Sequence, residues 1–381
     1  MKKLDTLTIS VKQSKAIKRS HRHTFRLNTT PAERAAIVKR KKRNKRSSKI
    51  GSVDAPAKLD IYSGKNHTLF IGFLEKLRAS VISNKKTFIS FRNSTRITAA
   101  AGLLLVAETA KLVKAFPQAI IKCSFPPTSN EGRYKNTYNI VESALNQIGF
   151  FELINQQCNR AAKYKSVEMW HQLSGDTADG SLAQSLLDSL PDSIPKRSKQ
   201  KLYRGAIEAI ANSVEHAYPS RRLDGTNSLD SRWWMLVGLD ERRLSVIICD
   251  LGVGIPETLP KKHPETLLSL IKSKFSIFDN SDSELIRAST HIKSTRTLLA
   301  NRGKGGKDFR SIARNFPSAT LIVRSNKGAF FLTGEKAAPL KKSSSRRYVE
   351  GTNNRESTQN HSLSIRGTLT EWIVPLEDIV L

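Results

Sequence analysis

The sequence predicts an α+β chain in two folded parts, a small α/β domain and then a larger α/β sandwich, behind a basic tail. Three observations carry that expectation. Strand and helix patterns alternate over residues 87–154, a polar-faced amphipathic helix over 207–217 precedes antiparallel hairpin patterns up to 376, and residues 1–50 hold 17 Lys and Arg against only Asp5 and Glu33. A chain of 381 residues is long enough for two cores.

Residues 1–60 are expected to form a basic, flexible tail, which includes the block KRKKRNKR at 39–46. The stretch GSVDAPAKLDIYSG (51–64) suits entry into a domain. Within the expected domain 61–160, TFISFRN (87–93) alternates like a strand and AAGLLLVAETAKLVKAF (100–116) has a helical apolar period. AIIKCSF (119–125) is again a strand, and NIVESALNQIGFFELI (139–154) is helical. Residues 161–199, with Gly, Asp and Pro, read as a hinge. The second domain, 200–381, opens with a helix and continues with a hairpin whose strands are 232–239 and 243–250, turning at Asp240 and Glu241. A second hairpin turns at Asn326, Lys327 and Gly328, and RGTLTEWIVPL (366–376) is a last strand. Residues 257–300 are expected to be a lid with helices of its own, and about 336–364 a polar surface insertion.

Composition narrows the function classes. Cys123, Cys158 and Cys249 are widely spaced and form no CxxC pair, which argues against a disulfide framework or zinc ribbon and for a reducing cytosol. No HExxH spacing occurs, and the pair His21 and His23 lacks nearby Cys or carboxylate ligands. The longest apolar run, AAAGLLLVA at 99–107, is too short to span a bilayer, and MKKLDTLTISVKQSK lacks the apolar region of a signal peptide, so no membrane partner is expected. The net charge of +31, about half of it in residues 1–50, points to polyanions: non-specific nucleic acid, an acidic protein face or anionic lipid. A solubilising tail is the competing reading, since no aromatic residues interleave with the charges.

Three stretches carry chemistry. In EAIANSVEHAYP (208–219), Ile207, Ile210, Ala211, Val214 and Ala217 fall on an apolar stripe, while Glu208, Asn212 and His216 climb the other face four residues apart. That polar face is either solvated or holds a ligand. In CDLGVGIP, Asp250 ends a strand as an acceptor for an exocyclic amine, and Gly252 and Gly254 permit a sharp turn close to a flat ligand or simply a tight turn. NRGKGGKDF places Gly303, Lys304, Gly305, Gly306 and Lys307 before a helical pattern, an arrangement suited to anions, without the spacing of a P-loop.

The order of these pieces, with the strand RGTLTEW after them, resembles the histidine-kinase-like (GHKL) ATPases, which include gyrase, large heat-shock chaperones, histidine kinases and anti-sigma-factor serine kinases. EAIANSVEHAYP is most similar to the N box of the last group. The resemblance implies a C-terminal Bergerat-type α/β sandwich that binds ATP and Mg²⁺. It implies Asn212 as Mg²⁺ ligand, Glu208 as the carboxylate acting on the attacking water and His216 near the phosphates. Asp250 with Gly252 and Gly254 would read adenine, and Thr368 would support that contact. The loop departs from the family's GxGLGL at Lys304-Gly305-Gly306-Lys307, and no phosphoacceptor-histidine helix precedes the domain. Residues 70–155 more weakly resemble the STAS fold of anti-sigma-factor antagonists. Ala99, Ala100 and Ala101 stand before Gly102 where those proteins carry a phosphorylated Ser.

These resemblances imply a cytoplasmic, nucleotide-dependent signalling switch that hydrolyses ATP slowly or phosphorylates protein Ser/Thr. A STAS or sigma-factor-pathway protein is the implied partner, and a dimer is compatible with it. The alternative is a basic nucleic-acid-binding adaptor, acting through residues 1–50, with a vestigial nucleotide site.

Overall fold

The computed structural model describes residues 50–124, 140–158, 164, 167, 169–219, 232–277, 279–295, 308–340 and 343–379. Among them the chain is a mixed α/β protein, and no helix is long and apolar enough to cross a membrane.

Its first part is built on a three-stranded parallel sheet in the order β1 (Ile50–Asp54), β3 (Lys86–Ser90), β5 (Ile120–Ser124). A short parallel pair, β2 (Lys58–Leu59) and β4 (Arg96–Ile97), stands beside it. Helix α1 (Gly64–Ser83) is capped by the Ser63 hydroxyl and α2 (Ala99–Ala115) by that of Thr98, as expected for hydroxyl side chains ahead of a first turn. Helices α3 (Ile140–Gln147) and α4 (Phe150–Leu153) complete this layer. The apolar run of α2 is explained by its place: buried from Ala100 to Thr109, it packs on α1 and α4 and also on two strands of the larger sheet.

That larger sheet has eight antiparallel strands in the order β11-β12-β10-β9-β13-β8-β7-β6. They are β6 (Met169–Gly175), β7 (Trp233–Leu239), β8 (Arg243–Asp250), β9 (Thr320–Ser325), β10 (Gly328–Thr333), β11 (Arg347–Tyr348), β12 (Glu356–Asn360) and β13 (Thr368–Pro375). Alternate residues feed two cores, as the pleat requires. Trp233, Val246, Val323, Phe330 and Trp372 point to helices α5 (Gly180–Asp188), α6 (Lys196–His216), α9 (Asp282–Thr295) and α10 (Asp308–Asn315). Trp234, Leu236, Ile247, Cys249 and Leu369 point the other way and merge with the core of the first layer. Helices α7 (Ile255–Lys262) and α8 (Glu265–Lys274) pack with α9 around Leu268, Ile271 and Ile292, and α11 (Leu376–Ile379) follows β13.

Several boundaries differ from expectation, each for a visible reason. The tail expected over 1–60 gives way at Ile50 to β1. The hinge expected over 161–199 supplies edge strand β6 and helix α5, whose Ala183, Leu186 and Leu187 are buried. The lid expected over 257–300 contains α9, which lies on the sheet and puts Ile286 into its core. The insertion expected over 336–364 contains β12, which has no apolar residue yet buries Glu356, Ser357, Thr358 and Gln359. Polar partners hold it instead: Arg310 pairs with Glu356, and the Thr358 hydroxyl donates to Glu284 at 2.9 Å.

Candidate functional site at the end of the central strands

Helix α6 is rotated relative to the stripe read from its sequence. Leu202, Gly205, Ala206, Ala209, Ile210 and Ser213 are buried, whereas Ile207, Ala211 and Val214 are only half-buried. Small residues face the sheet because the neighbours come close: a Cβ on Gly205 would stand 2.5 Å from Ile312 of α10 and 3.3 Å from the Trp372 ring. Glu208, Asn212 and His216 remain half-exposed along one side. The Asn212 amide nitrogen donates to Glu208 Oε1 at 3.3 Å, which leaves the amide oxygen as the atom Asn212 presents. His216 lies against Lys262 of α7 and 3.5 Å from Glu215; burial first, then the Lys262 ammonium, holds its pKa below the usual histidine value.

Asp250 ends β8 and is buried. Its Oδ1 accepts from the backbone N–H groups of Gly252 (2.9 Å) and Thr368 (3.2 Å), and its Oδ2 lies 3.3 Å from the Ser213 hydroxyl, whose one proton it shares with the Ala209 carbonyl at 3.0 Å. One carboxylate thereby ties α6, the turn after β8 and the start of β13. A Cβ on Gly252 would fall 2.1 Å from the Ala217 carbonyl oxygen, the same oxygen that accepts from Val253 N–H at 2.8 Å, so helix end and turn meet at a distance only glycine allows. Gly254 has φ +86 and abuts the Asn326 side chain, whose amide donates to the Val253 carbonyl at 2.8 Å.

Reasoning from sequence missed the residues that wire this turn. The Tyr218 hydroxyl accepts from Leu251 N–H at 3.0 Å and donates to the Arg232 carbonyl at 2.5 Å. Ser325 Oγ accepts from Ile255 N–H at 2.8 Å, donates to the Gly367 carbonyl at 3.1 Å and lies 3.1 Å from Thr368 Oγ1. Asn326, at φ 50, donates its N–H to the Gly367 carbonyl. The one usable signal was Ser213, a hydroxyl on the buried side of an amphipathic helix. Tyr218, Ser325 and Asn326 act across long sequence separations that no local pattern encodes.

Asp250, Gly252 and Thr368 are therefore brought together, and Ser213 ties them to α6, along whose half-exposed side Glu208, Asn212 and His216 follow one another a turn apart. Gly303, Lys304, Gly305, Gly306 and Lys307 lie outside the described residues, as does the tail 1–49. Among the described residues no group of three or more His, Cys, Asp or Glu could hold a metal ion. A hard cation at Asn212 would thus take one amide oxygen from the protein and its other ligands from water or a bound anion, a donor set that fits Mg²⁺ and not zinc. No protein-family model matches the chain, and no curated protein or solved structure matches it either.

Proposed function

We propose that the chain is an ATP-binding regulatory switch of the histidine-kinase-like type. The Ser213–Asp250 hydrogen bond carries this reading. It fastens the helix that carries Glu208 and Asn212, the residues offered to Mg²⁺ and phosphates, to the acid-glycine turn suited to a purine amine. A second arrangement supports it. The Lys201 ammonium donates to the Asn315 carbonyl at 3.5 Å, and Ile312 packs on Gly205, so α10 runs antiparallel to α6 and its first turn lies alongside Glu208. Backbone N–H groups at that helix start, preceded in sequence by Lys304 and Lys307, would meet the phosphates.

Each residue then has a task. Asp250, immobilised by three donors, accepts from the adenine amino group, and Thr368 places its N–H and hydroxyl beside it. Asn212 Oδ1 ligates Mg²⁺, which when bound neutralises phosphate charge. Glu208 holds the Asn212 amide and stands where it can take the proton of an attacking water or protein hydroxyl. His216, depressed in pKa, adds a neutral donor at the phosphate end, and a protein partner of the STAS or sigma-factor-pathway type would sense occupancy. The reading is tested by calorimetric titration of MgATP into the full chain. Wild type should bind, Asp250→Asn should not, and Asn212→Ala should bind ATP without dependence on Mg²⁺. A folded wild-type chain that takes up no ATP would overturn it. If ATP is bound, Glu208→Gln should leave binding intact and lower turnover by roughly 10²- to 10⁴-fold.

A further inference from the structure

The first half of α6, KRSKQKLYR, breaks a local rule. Five cations sit within residues 196–204 at the positive end of the helix dipole, with no acid in the first turn and no side-chain cap at Pro195. Two of them have structural employment. Lys199 is buried and donates to the Leu190 carbonyl at 2.8 Å just beyond α5, and Lys201 caps α10 through Asn315 while lying 5.2 Å from the Phe316 ring centre. Lys196, Arg197 and Arg204 are exposed and make no hydrogen bond or ion pair among the described residues; nor does exposed Arg314, in the last turn of α10 beside them. The first acid along α6 is Glu208, one turn beyond Arg204 and toward the middle of the helix, so the cationic stretch ends there.

We propose that this α6–α10 face binds the phosphate backbone of nucleic acid, independently of the nucleotide reading. Spacing supports it: Arg197 and Arg204 share a face seven residues apart, about 10 Å at 1.5 Å per residue, a length of duplex axis along which each strand carries about three phosphates. Arg314 stands on the next helix, roughly 8–10 Å across. Surface chemistry selects nucleic acid over an acidic protein. Protein interfaces centre on apolar and aromatic anchors and are poor in Lys, whereas nucleic-acid interfaces are polar and strongly positive. The exposed large apolar residues Leu69, Ile82, Ile120, Leu182 and Leu270 all lie off α6 and α10, and between the cations stands only Gln200.

The test is fluorescence anisotropy of a labelled random-sequence DNA duplex with the full chain over a series of KCl concentrations. The triple variant Arg197→Gln, Arg204→Gln, Arg314→Gln should reduce the slope of log K against log salt by about 2–3. The corresponding Arg→Lys triple, which keeps the charge, should restore it, and thereby exclude damage to the fold. A control triple on the first layer, Lys85→Gln, Lys86→Gln, Arg92→Gln, should leave the slope unchanged. An unchanged slope in the α6–α10 variant, or an equal loss in the control, overturns the proposal. So does a labelled polyglutamate peptide that binds as tightly as DNA with the same dependence on the three arginines, since the surface would then serve an acidic protein.

Discussion

Two carboxylates on neighbouring strands of the same sheet, Asp250 at the end of β8 and Glu371 in the middle of β13, are both buried and are held in opposite ways. Asp250 is 5% exposed, and among its partners are the backbone amides of Gly252 and Thr368 and the Ser213 hydroxyl. Glu371, 1% exposed, faces the first layer, where it accepts from the Tyr62 hydroxyl at 2.5 Å and lies 3.8 Å from the Arg324 guanidinium. Arg324 is itself 1% exposed, with its charge 4.8 Å from the Tyr62 ring centre and 5.6 Å from that of Phe331. Burial pushes the Glu371 carboxyl up against the pull of Arg324, and burial followed by Glu371 pushes the Tyr62 hydroxyl up. The difference is one of partners: Asp250 accepts from backbone amides at a strand end, whereas Glu371, set against Arg324 and Tyr62 at mid-strand, joins two layers of the fold.

The sharpest way to break the comparison is to remove one charge of the layer contact. Arg324→Ala leaves Glu371 buried without its nearest guanidinium and should cost about 3–5 kcal/mol of stability in denaturant titration. Arg324→Met with Glu371→Leu should recover most of that, and neither change should alter ATP affinity of the folded protein. Asp250→Asn should do the reverse. It retains an oxygen for Gly252 and Thr368, so stability falls by about 1 kcal/mol, while ATP affinity falls at least about 100-fold, because the purine amine then meets a donor. Equal effects of the two substitutions on stability and on binding would erase the distinction. Gly254→Ala lies between them. At φ +86 its Cβ would stand 2.7 Å from the Asn326 side chain. A loss of about 1–3 kcal/mol is expected, with weaker ATP binding because the turn must shift.

What the sequence made legible follows the same division. Both hairpins of the larger sheet were readable, because alternation and turn residues such as Asn326, Lys327 and Gly328 are local. The segments Glu208–His216 and Asp250–Gly254 stood out because their unusual residues are consecutive or one turn apart. Strand β12 was not readable, since ESTQN is stabilised by Arg310 and Glu284 from distant helices and not by its own pattern. Strand β6 was hidden in a segment rich in turn residues, and it is a strand through its pairing with β7, a partner distant in sequence. The misplaced stripe on α6 has a packing cause: helical periodicity selects the larger apolar residues, whereas close approach of α10 and Trp372 selects Gly205, Ala206 and Ala209. Nothing in the sequence set the first layer against the outer face of the larger sheet, yet Trp234, Cys249 and Leu369 share its core.

The remaining test reads the layer contact through pH. His67 of α1 and His361, just beyond β12, stack with ring centres 3.8 Å apart beside Arg324. Burial first, then His361 and Arg324, lowers His67 to about 3. Burial, then Arg324 and Arg346, lowers His361 to about 4. Both are neutral in the folded protein at pH 7. Since each is depressed relative to the unfolded value of about 6.5, the stability it contributes is complete above that pH and is lost as pH falls toward the folded values. His67→Phe keeps a ring on the stack and removes one proton taken up on unfolding. Between pH 6 and 4.5 it should therefore flatten the acid limb of stability against pH by up to about 1.4 kcal/mol per pH unit, leaving His291, which burial lowers to about 3 behind the opposite face, to act alike in both proteins. Denaturant titrations across that range decide the matter. A limb as steep in His67→Phe as in wild type would mean that the two layers part, or admit water between them, before the histidines are protonated, and the contact around Arg324 would then be too loose to join the layers.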